Sequence, residues 1–278
     1  MRLVKALLTG TALFLLAGCF QATTLVTVNP DGSGTVEERV MLGRKLLEQI
    51  NGMMQGFTPQ GGKKPKPLEL FDPEKLRAQA RTMGEGVVYR SGKAVATDEF
   101  EGFTATFAFS DINKLKLSQK NTELPGSPVP GENEQTQPVT FHFTRGPKST
   151  LNIVQRREKT PPVPAPHDAE AAPSPLSDAS GQISDEDAAK LTEMFKGMRI
   201  SMALEVNGTI LETNATYRDG RRLTILDFDM AKFVGSVRQL DTLRQLNPNS
   251  LEDARRLLKE IPGVEVDMNE NLTVVFAK

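Results

Sequence analysis

One cysteine, no tryptophan, two tyrosines and two histidines are all that 278 residues supply of the side chains most often used in sites. A lone Cys19 rules out an intrachain disulfide, a Cys-x-x-Cys redox pair and a multi-cysteine metal site. Two imidazoles, His142 and His167, are too few for the histidine-rich zinc centres of hydrolases. The missing tryptophan argues against a carbohydrate-stacking platform, and the scarcity of aromatics against a single-strand nucleic-acid groove. Charge of one sign is also lacking: 34 basic residues meet 35 acidic ones, so no basic footprint for nucleic acid is expected. No G-x-x-x-x-G-K-[ST], G-x-G-x-x-G, G-x-S-x-G or H-E-x-x-H occurs. No catalytic residue, metal site or cofactor is therefore expected. Long apolar runs are absent too. Ala6 to Leu16 is nearly uncharged, but it falls short of the roughly 20 residues that span a bilayer.

That run nevertheless has a purpose. Met1, Arg2 and Lys5 form a short positive segment before it, the arrangement of a secretory signal peptide. Its end, Leu16-Ala17-Gly18-Cys19, resembles the lipobox of bacterial lipoproteins. The resemblance implies a diacylglycerol thioether on Cys19, cleavage just before it and acylation of the new amino group. Two or more acyl chains hold a protein stably on a bilayer, at about 0.8 kcal/mol per buried CH2. The implied partner is thus the membrane, through the acyl chains on Cys19. Loss of residues 1–18 removes Arg2 and Lys5 and leaves 32 basic against 35 acidic residues. In a host with two membranes, Phe20 rather than Asp after the cysteine implies the outer membrane, facing the periplasm.

Beyond Cys19 the pattern predicts an α+β fold, with antiparallel sheets built from hairpins and helices between them. Ala22–Val28 and Thr35–Met41 alternate around the turn formers Asn29 to Gly34. Asn29, Asp31 and Ser33 stand like the first ligands of a calcium loop, but its twelfth position is Val40, not the required glutamate. Leu42, Leu46, Ile50, Met53 and Phe57 make a helical stripe, read as core or as one wall of an apolar pocket. Asp72 and Pro73 predict a capped helix to about Met83. Strands are expected at Gly86–Arg90, Ala94–Thr97, Phe103–Phe109, Val139–Phe143 and Leu151–Val154.

Residues 157–182, with six prolines between Pro161 and Pro175, read as a linker or surface insertion. They separate an N-terminal α+β region, 19–156, from a C-terminal one, 183–278. A capped helix from Ser184 is expected, then strands Arg199–Val206, Ile210–Tyr217 and Arg222–Phe228 joined by Asn207-Gly208 and Asp219-Gly220. Helical patterns at Met230–Leu246 and Ser250–Ile261 precede a final hairpin, Val264–Met268 with Leu272–Phe276. FAFSDINKL (107–115) and LDFDMAKFV (226–234) echo each other, which leaves two similar lobes as an open arrangement. A strand beginning right after the cysteine, and Val206-Asn207-Gly208-Thr209-Ile210-Leu211-Glu212-Thr213-Asn214-Ala215-Thr216, together resemble the ends of the LppM-type lipoprotein domain. That resemblance implies an α/β domain on the outer side of a bacterial membrane and carries no active-site residues.

Candidate chemistry is sparse. His142 alternates out of phase with Phe141 and Phe143 and is expected on the exposed face of its strand. Asp227 and Asp229 share a strand face and could act as a carboxylate pair or, more simply, end the strand and cap a helix. Glu37 and Glu38 point to opposite faces. Only Phe20 and Gln21 separate Cys19 from the first strand signal at Ala22, a tether of about 10 Å. Lys63, Lys64 and Lys66 are accordingly candidate contacts to anionic lipid. The functional expectation is a lipid-anchored, non-enzymatic binding or scaffold module of the cell envelope with a protein partner. A carrier of apolar ligand and a carboxylate-based envelope enzyme are the alternatives.

Overall fold

A computed structural model describes residues 20–56, 66–117, 138–155, 185–236 and 259–278. Its first sheet is built around strand β1 (Phe20–Val28), which pairs along its whole length with β2 (Gly34–Gly43), from Phe20↔Leu42 to Val28↔Gly34. β4 (Phe100–Phe109) pairs antiparallel with the far side of β2, and β3 (Val88–Ala96) forms the edge. The two short strands expected at 86–97 are one strand, whose register shifts between Tyr89 and Ser91.

On its other side β1 is joined by β8 (Arg199–Val206), and this pair is parallel, from Gln21↔Arg199 to Val28↔Val206. β11 (Arg222–Asp229) follows antiparallel, with β10 (Arg218–Asp219) and β12 (Val264–Val266) both paired to it. The second sheet runs in the order β5 (Lys116–Leu117), β6 (Val139–Thr144), β7 (Ser149–Val154), β13 (Asn271–Ala277), β9 (Thr209–Thr213). The fold is α+β, antiparallel except for β1 with β8. Each sheet takes strands from before residue 157 and from after residue 182, so neither belongs to one half of the chain.

Alternation explains which side each strand buries. Val26, Val36, Phe107 and Leu204 lie on one face of the first sheet with essentially no exposure, cross-strand neighbours of one another. The same core continues through Phe141, Leu151, Val274 and Phe276 of the second sheet. Helix α1 (Arg44–Gly56) closes one end with Leu46 and Leu47. The stripe expected from Leu42 therefore begins one element too early: Leu42 is a buried residue of β2, and Arg44 starts the helix with its Nε donating to Thr97 O at 2.8 Å. Helix α2 (Pro73–Thr82) lays Leu76 and Ala80 on the core. Asp72 caps it as expected, Oδ1 accepting from the N–H of Glu74 at 2.9 Å.

Two expected hairpins are not hairpins. Asn207-Gly208 links β8 of the first sheet to β9 of the second, because Asn207 N–H donates to Val28 O at 2.8 Å and holds the chain on β1. A Cβ on Gly208 would lie 2.2 Å from Ala277 O, so only glycine passes this close to β13. Likewise β12 pairs with β11, whereas β13 lies between β7 and β9. Asp219-Gly220 does make the tight β10–β11 turn, with Gly220 at φ +55°. The strand expected over Ile210–Tyr217 stops at Thr213, where Asn214 turns the chain back toward the first sheet. Both halves of the sequence echo end in a cap. Asp111 accepts from Asn113 N–H, and Asp229 caps α4 (Met230–Gly235). Helix α3 (Asp185–Met194) precedes Gly197, whose positive φ ends that segment, and Met198 O accepts from Met230 N–H at 3.0 Å. The Pro-rich segment, including His167, and most of the helical patterns at 230–261 lie outside the described residues.

Candidate functional site

Cys19 lies outside the described residues, but its neighbour does not. Phe20 is already the first residue of β1, paired with Leu42, and Gln21 is paired with both Met41 and Arg199. Strand pairing thus begins two residues before the Ala22 start that the sequence pattern implied. Phe20 and Gln21 are both taken into the ladder. Phe20 packs against the core, and the ring of Phe100 lies beside Gly197. Lys63 and Lys64 lie outside the described residues. Lys66 is exposed, shortly before Leu68, whose N–H donates to Asn51 Oδ1 of α1 at 2.7 Å.

The carboxylates weighed for chemistry are occupied otherwise. Asp227 takes both arms of the Arg199 guanidinium, Nε to Oδ1 at 2.7 Å, and that bond raises the arginine's already high pKa. Asp229 accepts from Lys232 N–H at 3.2 Å as the cap of α4. His142 is exposed and pairs across the strand with Asn152, while Phe141 is buried. In the first turn, Asp31 accepts from both the N–H and the hydroxyl of Ser33, which lowers its pKa. Among the described residues no group of three His, Cys, Asp or Glu is placed to hold a metal ion. Among them also, no helix is long and apolar enough to cross a membrane.

Two buried acids stand out instead. Glu38 sits on the core face of β2, in phase with Val36 and Val40, and is 4% exposed. Thr24 of β1 and Ala105 of β4 are its cross-strand partners. Gln79 Nε2 of α2 donates to Glu38 Oε2 at 2.8 Å. Burial pushes the carboxyl up to about 7, and the Gln79 bond offsets only part of that. The sequence carried the signal, since Thr-Val-Glu-Glu-Arg-Val alternates and puts Glu38 with the valines. The other acid, Asp267, is fully buried between the sheets. Its Oδ2 accepts from Thr216 N–H at 2.7 Å, and its Oδ1 from the N–H and the side-chain amide of Asn269 at 2.9 and 2.8 Å. Asn269 Nδ2 also donates to Asn214 O, and Asn214 Oδ1 accepts from Thr273 N–H. These bonds join β9, β12 and β13 where the chain passes from sheet to sheet.

No family model and no curated protein matches the chain. Among solved structures, the folded domain of the Mycobacterium tuberculosis LppM protein, determined by NMR, is similar at 9% sequence identity and a TM-score of 0.32, over 94% of this chain and 91% of that one.

Proposed function

We propose that the chain is a lipid-anchored protein of the bacterial cell envelope, acting without catalysis as a binding or scaffold module for an envelope protein. The observation that supports it is the join between anchor and fold. The lipobox ends at Cys19, and strand pairing begins at Phe20. A domain so joined rests against the headgroups, on the outer side of the cytoplasmic membrane or, with Phe20 after the cysteine, at the outer membrane facing the periplasm. Its carboxylates at 227 and 229 serve an ion pair and a helix cap, which fits a binding role better than hydrolysis. Lys66, with Lys63 and Lys64, would add contact to anionic lipid at about 1 kcal/mol per side chain near the surface.

Metabolic labelling with an alkyne fatty acid in a bacterial host tests the anchor. The native chain is expected to take the label and to fractionate with membranes, and Cys19→Ala to take none and keep its signal segment. Equal labelling of both chains, or of neither, would overturn the reading.

A further inference from the structure

Glu38 is enclosed on three sides by strands and on the fourth by a helix. β1, β2 and β4 are locked together by pairings nine and ten residues long, so the sheet cannot open locally to hydrate one carboxyl. Helix α2 is different. It is ten residues long and rests on the sheet through Leu76, Ala80 and Met83 and through the Gln79 bond to Glu38. Water reaches the carboxyl at least cost by the movement of α2.

Among the described residues, the surrounding elements bring no countercharge. β1 faces Glu38 with Thr24, β4 with Ala105, and β2 itself with Val36 and Val40. The charged residues of α2, Glu74, Lys75, Arg77 and Arg81, are exposed, with Arg77 bound to Glu74 and lying over the Tyr89 ring. Those at the start of α1, Arg44 and Lys45, are also exposed, and Arg44 is paired with Glu101. Glu37 and Arg39 occupy the opposite face of β2. Among the described residues, a carboxylate formed here would be buried with one amide donor and no cation, an arrangement that folded proteins avoid.

We propose that Glu38 and Gln79 form a proton-operated latch: the protonated carboxyl holds α2 on the sheet, and loss of the proton releases the Pro73–Met83 segment and uncovers the apolar face beneath it. The sign follows from linkage. The docked state holds the proton up to about 7, against an ordinary value of 4.5 when hydrated. Docking is therefore firmest below 4.5, weakens as pH rises toward 7 and is weakest above it. Between about pH 5.5 and about pH 8 the opening equilibrium of α2 rises about 25-fold by this linkage.

Hydrogen exchange on the full chain in detergent, corrected for intrinsic rates, reads this at the amides of Leu76 to Met83. The native protein is expected to lose about 25-fold protection there over that pH range, by the linkage above, while the β1–β2 amides hold theirs. Glu38→Gln, which keeps a hydrogen-bonding amide and cannot ionise, is expected to show no such change. Should that variant fold poorly, the native chain decides alone. The carbon-13 titration of the Glu38 carboxyl must share its midpoint with the α2 exchange. Protection at 76–83 that ignores pH, a midpoint that differs from the carboxyl's, or an equal response in Glu38→Gln overturns the latch.

Discussion

Replacing Asp267 by Asn tests whether the crossing between the two sheets is held by one carboxylate. The change is isosteric, so packing is preserved and only hydrogen-bond polarity alters. Every group that reaches the Asp267 side chain in the bonds described above is a donor: Thr216 N–H, Asn269 N–H and the Asn269 amide. A carboxylate accepts all three, whereas an Asn side chain has one accepting oxygen and turns an NH2 toward whatever faces its other position. The less costly orientation points that NH2 at Thr216, losing one bond and retaining the two to Asn269 in uncharged form. A hydrogen bond to a charged group contributes about 1.5–3 kcal/mol, and a buried donor left unmade costs about 1–3. With Asp267 at 0% exposure no water relieves either loss, so the variant should be destabilised by about 3 kcal/mol. For a chain of this size that is a fall in Tm of about 6–12 °C. Urea unfolding should show a lower midpoint at an unchanged m-value, since the surface exposed on unfolding is the same. Exchange at the Thr216 amide should accelerate relative to the core of β2. A variant within about 0.5 kcal/mol of the native protein would refute the assignment, because that is the range of an ordinary surface change.

Two smaller perturbations separate packing from surface charge. Gly208→Ala places a Cβ 2.2 Å from a backbone oxygen that cannot rotate away; thermal unfolding should register about 2–3 kcal/mol of destabilisation, as for overpacking, and a neutral result would mean that the chain crosses elsewhere. Asp227→Asn breaks the ion pair with Arg199, whose side chain is 56% exposed, so denaturant titration should show a loss of no more than about 1 kcal/mol, diminishing further with salt.

The elements that could be read in advance are those whose signals are local. Asp72 and Pro73 mark a helix start, Asn29 to Ser33 a turn, and Asp219-Gly220 a two-residue hairpin, and each is settled within a few residues of itself. The pairings that could not be read are those set by distant chain. β1 and β8 lie side by side although Val28 and Val206 are 178 residues apart in the numbering. Asn-Gly is good hairpin chemistry at 207–208, yet Asn207 bonds to Val28 and Asn29 and sends the chain into another sheet. Turn propensity says that a chain bends; it does not say which strand receives it. Glu38 was legible in phase but not in consequence: alternation places it inward, and only the helix above it shows that it has an amide partner and, among the described residues, no cation. Asp267 gave no warning, because in the strand expected over Val264–Met268 it alternates with the apolar residues, and its burial shows only when Thr216 and Ile225 are seen bonded to it from other elements.

The position of β1 has a mechanical consequence. It is an interior strand, bonded along one edge to β2 and along the other to β8, and its first residue adjoins the proposed lipid. A pull from the bilayer enters at Phe20 and runs down the strand, so both ladders take the load together in shear. Peeling, in which bonds break singly from an end, is not available to a strand held on both sides. A drag on the lipid is therefore distributed across the centre of the first sheet, and its short peripheral strands β10 and β12 bear little of it.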